Sequence, residues 1–240
     1  MSDAPAPEYV LWSYTPSLPG NVIATLAFAI LALLHTYKLL KNRTWFCIPL
    51  VVGALFEVIG YAARAAAHGD TESLGPYITQ SLLILIAPIL FAASVYMTLG
   101  RLMLRTQSTS YSIIRAKWVT KMFVTADVLC FVIQCGGAGM LTQAKDAAAF
   151  KRGENVILGG LILQILVFAV FFVVAGIWHR RLSAIPTAVA AEVRWEKHVW
   201  LLYSASVCIT VRNFCRVIEY AMGKVSLRSR VLDFSMGTDR

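Results

Sequence analysis

The stretch VILGGLILQILVFAVFFVVAGIW, from Val156 to Trp178, carries no charged side chain and a single amide, Gln164. About 20 mostly apolar residues are what a helix needs to cross a hydrocarbon core roughly 30 Å thick. Lipid offers no partner for backbone N–H and C=O groups, so such a segment must satisfy its own as a helix. Five further blocks read the same way, running approximately Asn21 to Leu40, Trp45 to Ala66, Tyr77 to Leu99, Trp118 to Leu141 and Val199 to Tyr220. Short alternating strands of the barrel kind are not seen. The expected fold is all-α, a polytopic transmembrane bundle of six spans. Residues 1–20 are expected as an extracytoplasmic tail, 21–223 as the membrane domain and 224–240 as a short polar tail.

Composition agrees, since 58% of the 240 residues are hydrophobic and only 15% are charged, against roughly 25% charged in soluble domains. One globular core cannot hide that much apolar surface. Pro19-Gly20 and Gly75-Pro76 stand before the first and third spans, where punctuation belongs. Pro88 falls inside the third span and is expected to kink it, because it removes one backbone hydrogen bond.

The net charge of +9 raises the question of a nucleic-acid partner, and the placement of the charges answers it. Lys38, Lys41 and Arg43 follow the first span. Arg101, Arg105, Arg115 and Lys117 separate the third from the fourth, and Arg180, Arg181, Arg194 and Lys197 separate the fifth from the sixth. The tail before the first span and the segment 67–76 hold no Lys or Arg, and Lys145, Lys151 and Arg152 share their loop with Asp146 and Glu154. By the positive-inside rule the N-terminus is expected outside and the first, third and fifth loops in the cytosol. The basic excess is therefore a topology signal, and no nucleic-acid partner is expected. No cleavable signal peptide is expected either, because the opening residues lack a basic stretch and a short apolar core. The sequon Asn42-Arg43-Thr44 lies in a loop placed in the cytosol, and Lys224, Arg228, Arg230 and Arg240 sit uneasily on the outer side that six spans assign them.

Charged side chains inside spans cost at least roughly 2.5–3.5 kcal/mol each at mid-bilayer and mark functional candidates. Glu57, Arg64, Asp127, Arg212, Arg216 and Glu219 qualify. Glu57, Gly60, Tyr61 and Arg64 share one helical face by their i, i+3, i+4, i+7 spacing, as do Arg212, Arg216, Glu219, Tyr220 and Gly223, and Asp127 with Gln134. Glu57 lies roughly 18 Å beyond Trp45 and Arg212 roughly 18 Å beyond Trp200, with Arg64 and Glu219 each roughly 10 Å further on. Two ion pairs are expected, Glu57 with Arg212 and Arg64 with Glu219. Asp127, roughly 4 to 5 Å lower than Arg212, is placed to share its guanidinium or to meet water. Such pairs serve equally as a register lock between helices or as the lining of a translocation path.

Gln80, Gln134 and Gln164, on three different helices, and Tyr61 read as a polar bundle interior, through interhelical hydrogen bonds or a polar cavity. Gly60, Gly136, Gly137, Gly159 and Gly160 read as close-packing positions. Tyr77, Tyr96, Trp12, Trp45, Trp118, Trp178 and Trp200 lie near span ends, where aromatic belts form.

Catalytic readings fare poorly. His35, His68, His179 and His198 show no HxxxH or HExxH spacing, so a zinc site from His35, His179 and His198 is disfavoured, as is a haem between two deep histidines. Cys47, Cys130, Cys135, Cys208 and Cys215 show no CxxC and read as small packing residues. No phosphate-binding glycine loop of the ATPase kind is present. No enzyme activity, metal or cofactor is expected.

The ordered set of motifs resembles the fungal RTA-like proteins, the lipid-translocating exporter family associated with resistance to aminocholesterol-type compounds. The likeness runs over nearly the whole chain, from Tyr14-Thr15-Pro16-Ser17 and Asn21 through Glu57-Val58-Ile59-Gly60-Tyr61-Ala62-Ala63-Arg64. Tyr77, Gln80, Ala87-Pro88, Tyr96, Asp127, Gln134, Gly136, Gly137, Gly160 and Gln164 continue it. It closes on Arg212-Asn213-Phe214-Cys215-Arg216-Val217-Ile218-Glu219-Tyr220 and Gly223.

The resemblance implies a multispan fungal membrane protein, usually of seven helices with an external N-terminus, in the plasma membrane or an endomembrane. It also implies lipid translocation and resistance to toxic amphiphiles, with membrane lipids or amphiphilic small molecules as partners. The departure is at the end, where Lys224 to Arg240 supplies neither the acidic and aromatic stretch nor the seventh helix usual in the family. The leading expectation is a non-ATPase translocator of lipids or toxic amphiphiles, sphingoid-base or sterol-like, whose path runs between the second, fourth and sixth helices, lined by Glu57, Asp127, Arg212 and Arg216. The rival is a seven-helix-type receptor or stress sensor in which the same charges form a conformational lock.

Overall fold

The computed structural model describes residues 18–67, 74–142, 147–192 and 194–237. They form helices α1 (Leu18–Asn42), α2 (Ile48–Ala66), α3 (Leu74–Arg105), α4 (Ala116–Thr142), α5 (Ala147–Ala184), α6 (Ala188–Glu192) and α7 (Trp195–Gly237), with single 3-10 turns at Trp45–Cys47 and Thr109–Tyr111. No strand occurs among the described residues. Among the described residues six helical segments are long and apolar enough to cross a membrane: Leu18–Asn42, Trp45–Ala66, Leu82–Arg105, Ala116–Leu141, Lys151–Ala184 and Trp195–Ile218. Each overlaps one of the blocks read from sequence.

Several helix ends differ from the sequence reading. α1 and α3 begin at Leu18 and Leu74, so Pro19-Gly20 and Gly75-Pro76 lie inside first turns rather than before them. A proline is tolerated there because the first N–H groups of a helix have no intrahelical acceptor. α3 also runs on through Pro88 to Arg105 as one helix. α5 spans 38 residues, roughly 57 Å, and takes Lys151, Arg152 and Glu154 out of the loop where the sequence reading placed them. α7 continues for 43 residues to Gly237, so residues 224–237 of the polar tail are helical. Tyr14-Thr15-Pro16-Ser17, Trp12, His68, Lys145 and Asp146, and the side chains of Tyr77, Glu219 and Tyr220, lie outside what the structure describes.

The helices divide into two compact units, Met1–Ser94 and Val95–Arg240, with α3 contributing to both. In the first, α1 packs along α2, and the ring of Phe28 stacks on Tyr61 at 5.8 Å. α2 meets the first part of α3 through two glycines: a Cβ on Gly53 would stand 2.8 Å from the Phe91 ring, and one on Gly60 would stand 2.7 Å from the Ile84 side chain.

In the second unit α4 packs along α5, and α5 against α7. The α4 face is Phe123, Asp127, Cys130, Gln134 and Gly137, alternating in steps of four and three, the spacing that keeps one stripe of a helix turned to a partner. Outward-facing residues such as Val132, Leu166, Val173 and Leu201 are more than half exposed, as side chains facing lipid are. Hydroxyls inside the spans bond the carbonyl four residues back, as in Thr25 to Asn21, Ser94 to Leu90 and Thr210 to Ser206. That pairing satisfies them without water.

Candidate functional site

The polar interior of the second unit is built around Asp127. Its carboxyl is 1% exposed and accepts a hydrogen bond at Oδ2 from the Tyr96 hydroxyl at 2.9 Å. Oδ1 has no hydrogen-bond partner among the described residues. Tyr96 is itself fully buried, ringed by Phe123, Phe168 and Phe171 at centroid distances of 5.3, 5.9 and 4.7 Å. The three aromatic neighbours pack the tyrosine ring, and α4 supplies the carboxylate that accepts from its hydroxyl.

Two turns further along α4, Gln134 donates from Nε2 to Oε1 of Gln164 on α5 at 3.1 Å, with both side chains buried. The approach depends on missing side chains. A Cβ on Gly160 would stand 2.8 Å from Gln134 Cγ, and one on Gly137 would stand 2.9 Å from the Ile157 backbone nitrogen and 3.0 Å from the Gly153 carbonyl oxygen. A Cβ on Gly136 or Gly159 would meet nothing within 4 Å among the described residues.

Of the other sequence candidates, Glu57 is buried on α2 at 2% exposure, on the same face as Gly53 and Gly60. Arg64 is half-buried, as are Arg212 and Arg216 on α7. Gln80 on α3 is buried. The pairs Glu57 with Arg212 and Arg64 with Glu219 each join one unit to the other, and Glu219 carries no described side chain, so both stay proposals. Asp127 takes the Tyr96 hydroxyl at Oδ2, a partner that the sequence reading did not name, and its sharing of Arg212 or of water stays a proposal.

Tyr96 and Trp178 are corrections to the aromatic-belt reading. Both are fully buried, because α3 and α5 run on past the ends assigned from sequence and carry these rings inward. Trp178 donates from its indole nitrogen to Ser108 Oγ at 2.8 Å, and Ser108 lies 2.6 Å from the Thr106 hydroxyl. Trp45, Trp118 and Trp200 are more than half exposed, where a belt residue belongs. Among the histidines, His179 Nδ1 meets the Tyr203 hydroxyl at 3.1 Å, while His35 and His198 each meet the backbone carbonyl four residues back. Among the described residues no three His, Cys, Asp or Glu side chains converge as metal ligands.

A narrow groove of about 160 Å³ runs between α5 and α7. Ile165, Phe168, Phe172 and Phe214 give it a hydrocarbon lining, and the carbon atoms of Thr210 and Asn213 complete it. Phe168 belongs both to this groove and to the ring around Tyr96.

Apolar spans enclosing buried carboxylate, amides and hydroxyl define an integral multi-pass membrane protein with a polar interior. The chain belongs to the RTA1-like family: the model described as "RTA1 like protein" matches residues 50–231. It is similar to Protein RTM1 of Saccharomyces cerevisiae, 29% identical over 92% of this chain and 84% of that protein. It is also similar to Protoporphyrin uptake protein 1 of the same species, 28% identical over 90% of this chain and 82% of that one. Sphingoid long-chain base transporter RSB1 is 25% identical over 75% of this chain and 46% of its own length. No solved structure matches the chain.

Proposed function

We propose that this protein moves lipids or lipid-like amphiphiles across or within a fungal membrane without hydrolysing ATP and without acting as an enzyme. The observation that carries the reading is a buried polar pair, Asp127 with Tyr96, one aromatic ring away from the hydrocarbon groove between α5 and α7, that ring being Phe168. An amphiphile needs both chemistries at once, polar atoms for its headgroup and an apolar trough for its chain. Relatives named for protoporphyrin uptake and for sphingoid-base transport support the substrate class. Both kinds of molecule join a large apolar body to ionisable groups. Arg212 and Arg216 on α7 and Glu57 on α2 are the further charged groups assigned to headgroup handling. By the distribution of Lys and Arg, the N-terminus faces away from the cytosol.

The test is uptake and export of fluorescent sphingoid bases and phospholipids by cells expressing the chain beside Asp127→Asn, Glu57→Gln and Arg212→Gln, at matched surface abundance. Reduced movement in the variants supports the reading. Full movement in all three would remove the buried charges from any path. The receptor-type alternative draws on the same Asp127–Tyr96 bond as a conformational lock. It requires that no variant, nor the wild type, move lipid.

A further inference from the structure

The connection from α5 to α7 borders an open-sided cleft of about 500 Å³ that the translocation reading does not use. One wall carries Ser183 and Pro186, and the other carries Arg194, Trp195, Glu196 and Lys197. Its size falls in the range of roughly 300–1,000 Å³ typical of small-molecule sites. The cleft sits between the ends of two apolar spans, Lys151–Ala184 and Trp195–Ile218. That is the level of the lipid headgroups.

The walls are fixed rather than draped. The Thr187 hydroxyl donates to the Thr106 carbonyl at 2.6 Å and accepts the Ala190 N–H at 3.2 Å, tying the start of α6 to the end of α3. Trp195, 5% exposed, packs edge-on against Trp178 at 6.2 Å and against His179 at 5.6 Å. Arg194 and Lys197 are exposed at the rim, and among the described residues that line the cleft Glu196 is the one carboxylate. Arg180 and Arg181, exposed on the last turns of α5, add to the positive field.

We infer that this cleft binds the phosphate-bearing headgroup of an anionic membrane phospholipid, in the leaflet that the basic loops face. Arg194 and Lys197 supply charge, Ser183 a hydroxyl donor, and Trp195 the floor. Basic pockets at the cytoplasmic edge of helix bundles are the usual receptors for such headgroups. The site is separate from the groove between α5 and α7 and does not depend on transport.

The experiment is thermal stabilisation of the purified full chain in micelles of a non-ionic detergent, titrated with a phosphatidylinositol bisphosphate, with phosphatidylcholine alone, and with inorganic phosphate. The wild type is expected to be stabilised by the anionic lipid, with Arg194→Gln/Lys197→Gln weakening apparent affinity about thirtyfold. Arg194→Lys is expected to retain most of it and Glu196→Gln to tighten it. Lys38→Gln/Lys41→Gln, removing two basic residues at the end of α1, should leave it unchanged. Equal affinity in the Arg194/Lys197 double variant, equal loss in the Lys38/Lys41 variant, no stabilisation of the wild type, or full competition by millimolar inorganic phosphate would each overturn the assignment.

Discussion

The Tyr96 hydroxyl reaches Asp127 Oδ2 at 2.9 Å, joining α3 to α4 through two side chains that expose 0% and 1% of their surface. Interhelical side-chain bonds in membranes average about 0.6 kcal/mol and reach about 1.7. Tyr96→Phe and Asp127→Asn should therefore each lower the melting temperature, and a double-mutant cycle should return a coupling in that range. Strictly additive effects would show that the bond does not hold α3 to α4.

Gln134 and Gln164 make the reciprocal case between α4 and α5. Gln164→Leu alone strands a buried amide and should destabilise by roughly 1–3 kcal/mol. Adding Gln134→Leu removes the stranded donor as well, so the double variant should recover most of that loss in thermal unfolding.

Glycine positions separate sharply by what a side chain would meet. Gly137→Leu must displace the Ile157 backbone and the Gly153 carbonyl, and overpacking of this kind costs roughly 1–3 kcal/mol. Gly136→Ala meets nothing and should be neutral or stabilising by up to about 1 kcal/mol through helix propensity. Melting temperatures of the two variants should move in opposite directions or differ by several degrees.

The end of α3 offers a stabilising substitution. Ser108 N–H bonds the Met103 carbonyl at 3.0 Å and Gln107 N–H the Leu104 carbonyl at 3.2 Å, with Gln107 at φ 51°. This is a Schellman cap whose left-handed position favours glycine. Gln107→Gly is expected to raise stability by about 1 kcal/mol, read as a higher melting temperature.

Orientation is tested at Asn42. With the loop after α1 in the cytosol, as the positive-inside rule proposes, the Asn42-Arg43-Thr44 acceptor stays unmodified in cells, while a sequon engineered into the loop between α4 and α5 is glycosylated. Gel mobility before and after endoglycosidase reads both.

Six apolar segments were legible in the chain because the requirement they meet is local: a span must satisfy its own backbone and present hydrocarbon to lipid. The face shared by Asp127 and Gln134 was legible for the same reason, since it follows from helical period alone. Helix ends were less so. Nothing in residues 147–155 or 224–237 breaks a helix, yet hydropathy falls there, and hydropathy was the signal used. Setting the ends of α3 and α5 too early in turn left Tyr96 and Trp178 at a supposed interface. Partner choice is not local. That Asp127 takes Tyr96, Gln134 takes Gln164 and Trp178 takes Ser108 depends on how helices far apart in sequence are brought side by side. Gly137 and Gly160 let α4 and α5 close, and Gly136 and Gly159, identical in composition, face away. The sequence alone determined which segments enter the membrane; only the tertiary structure decided which polar groups meet inside it, because lipid acts on each helix singly while a buried hydrogen bond requires two at a fixed distance.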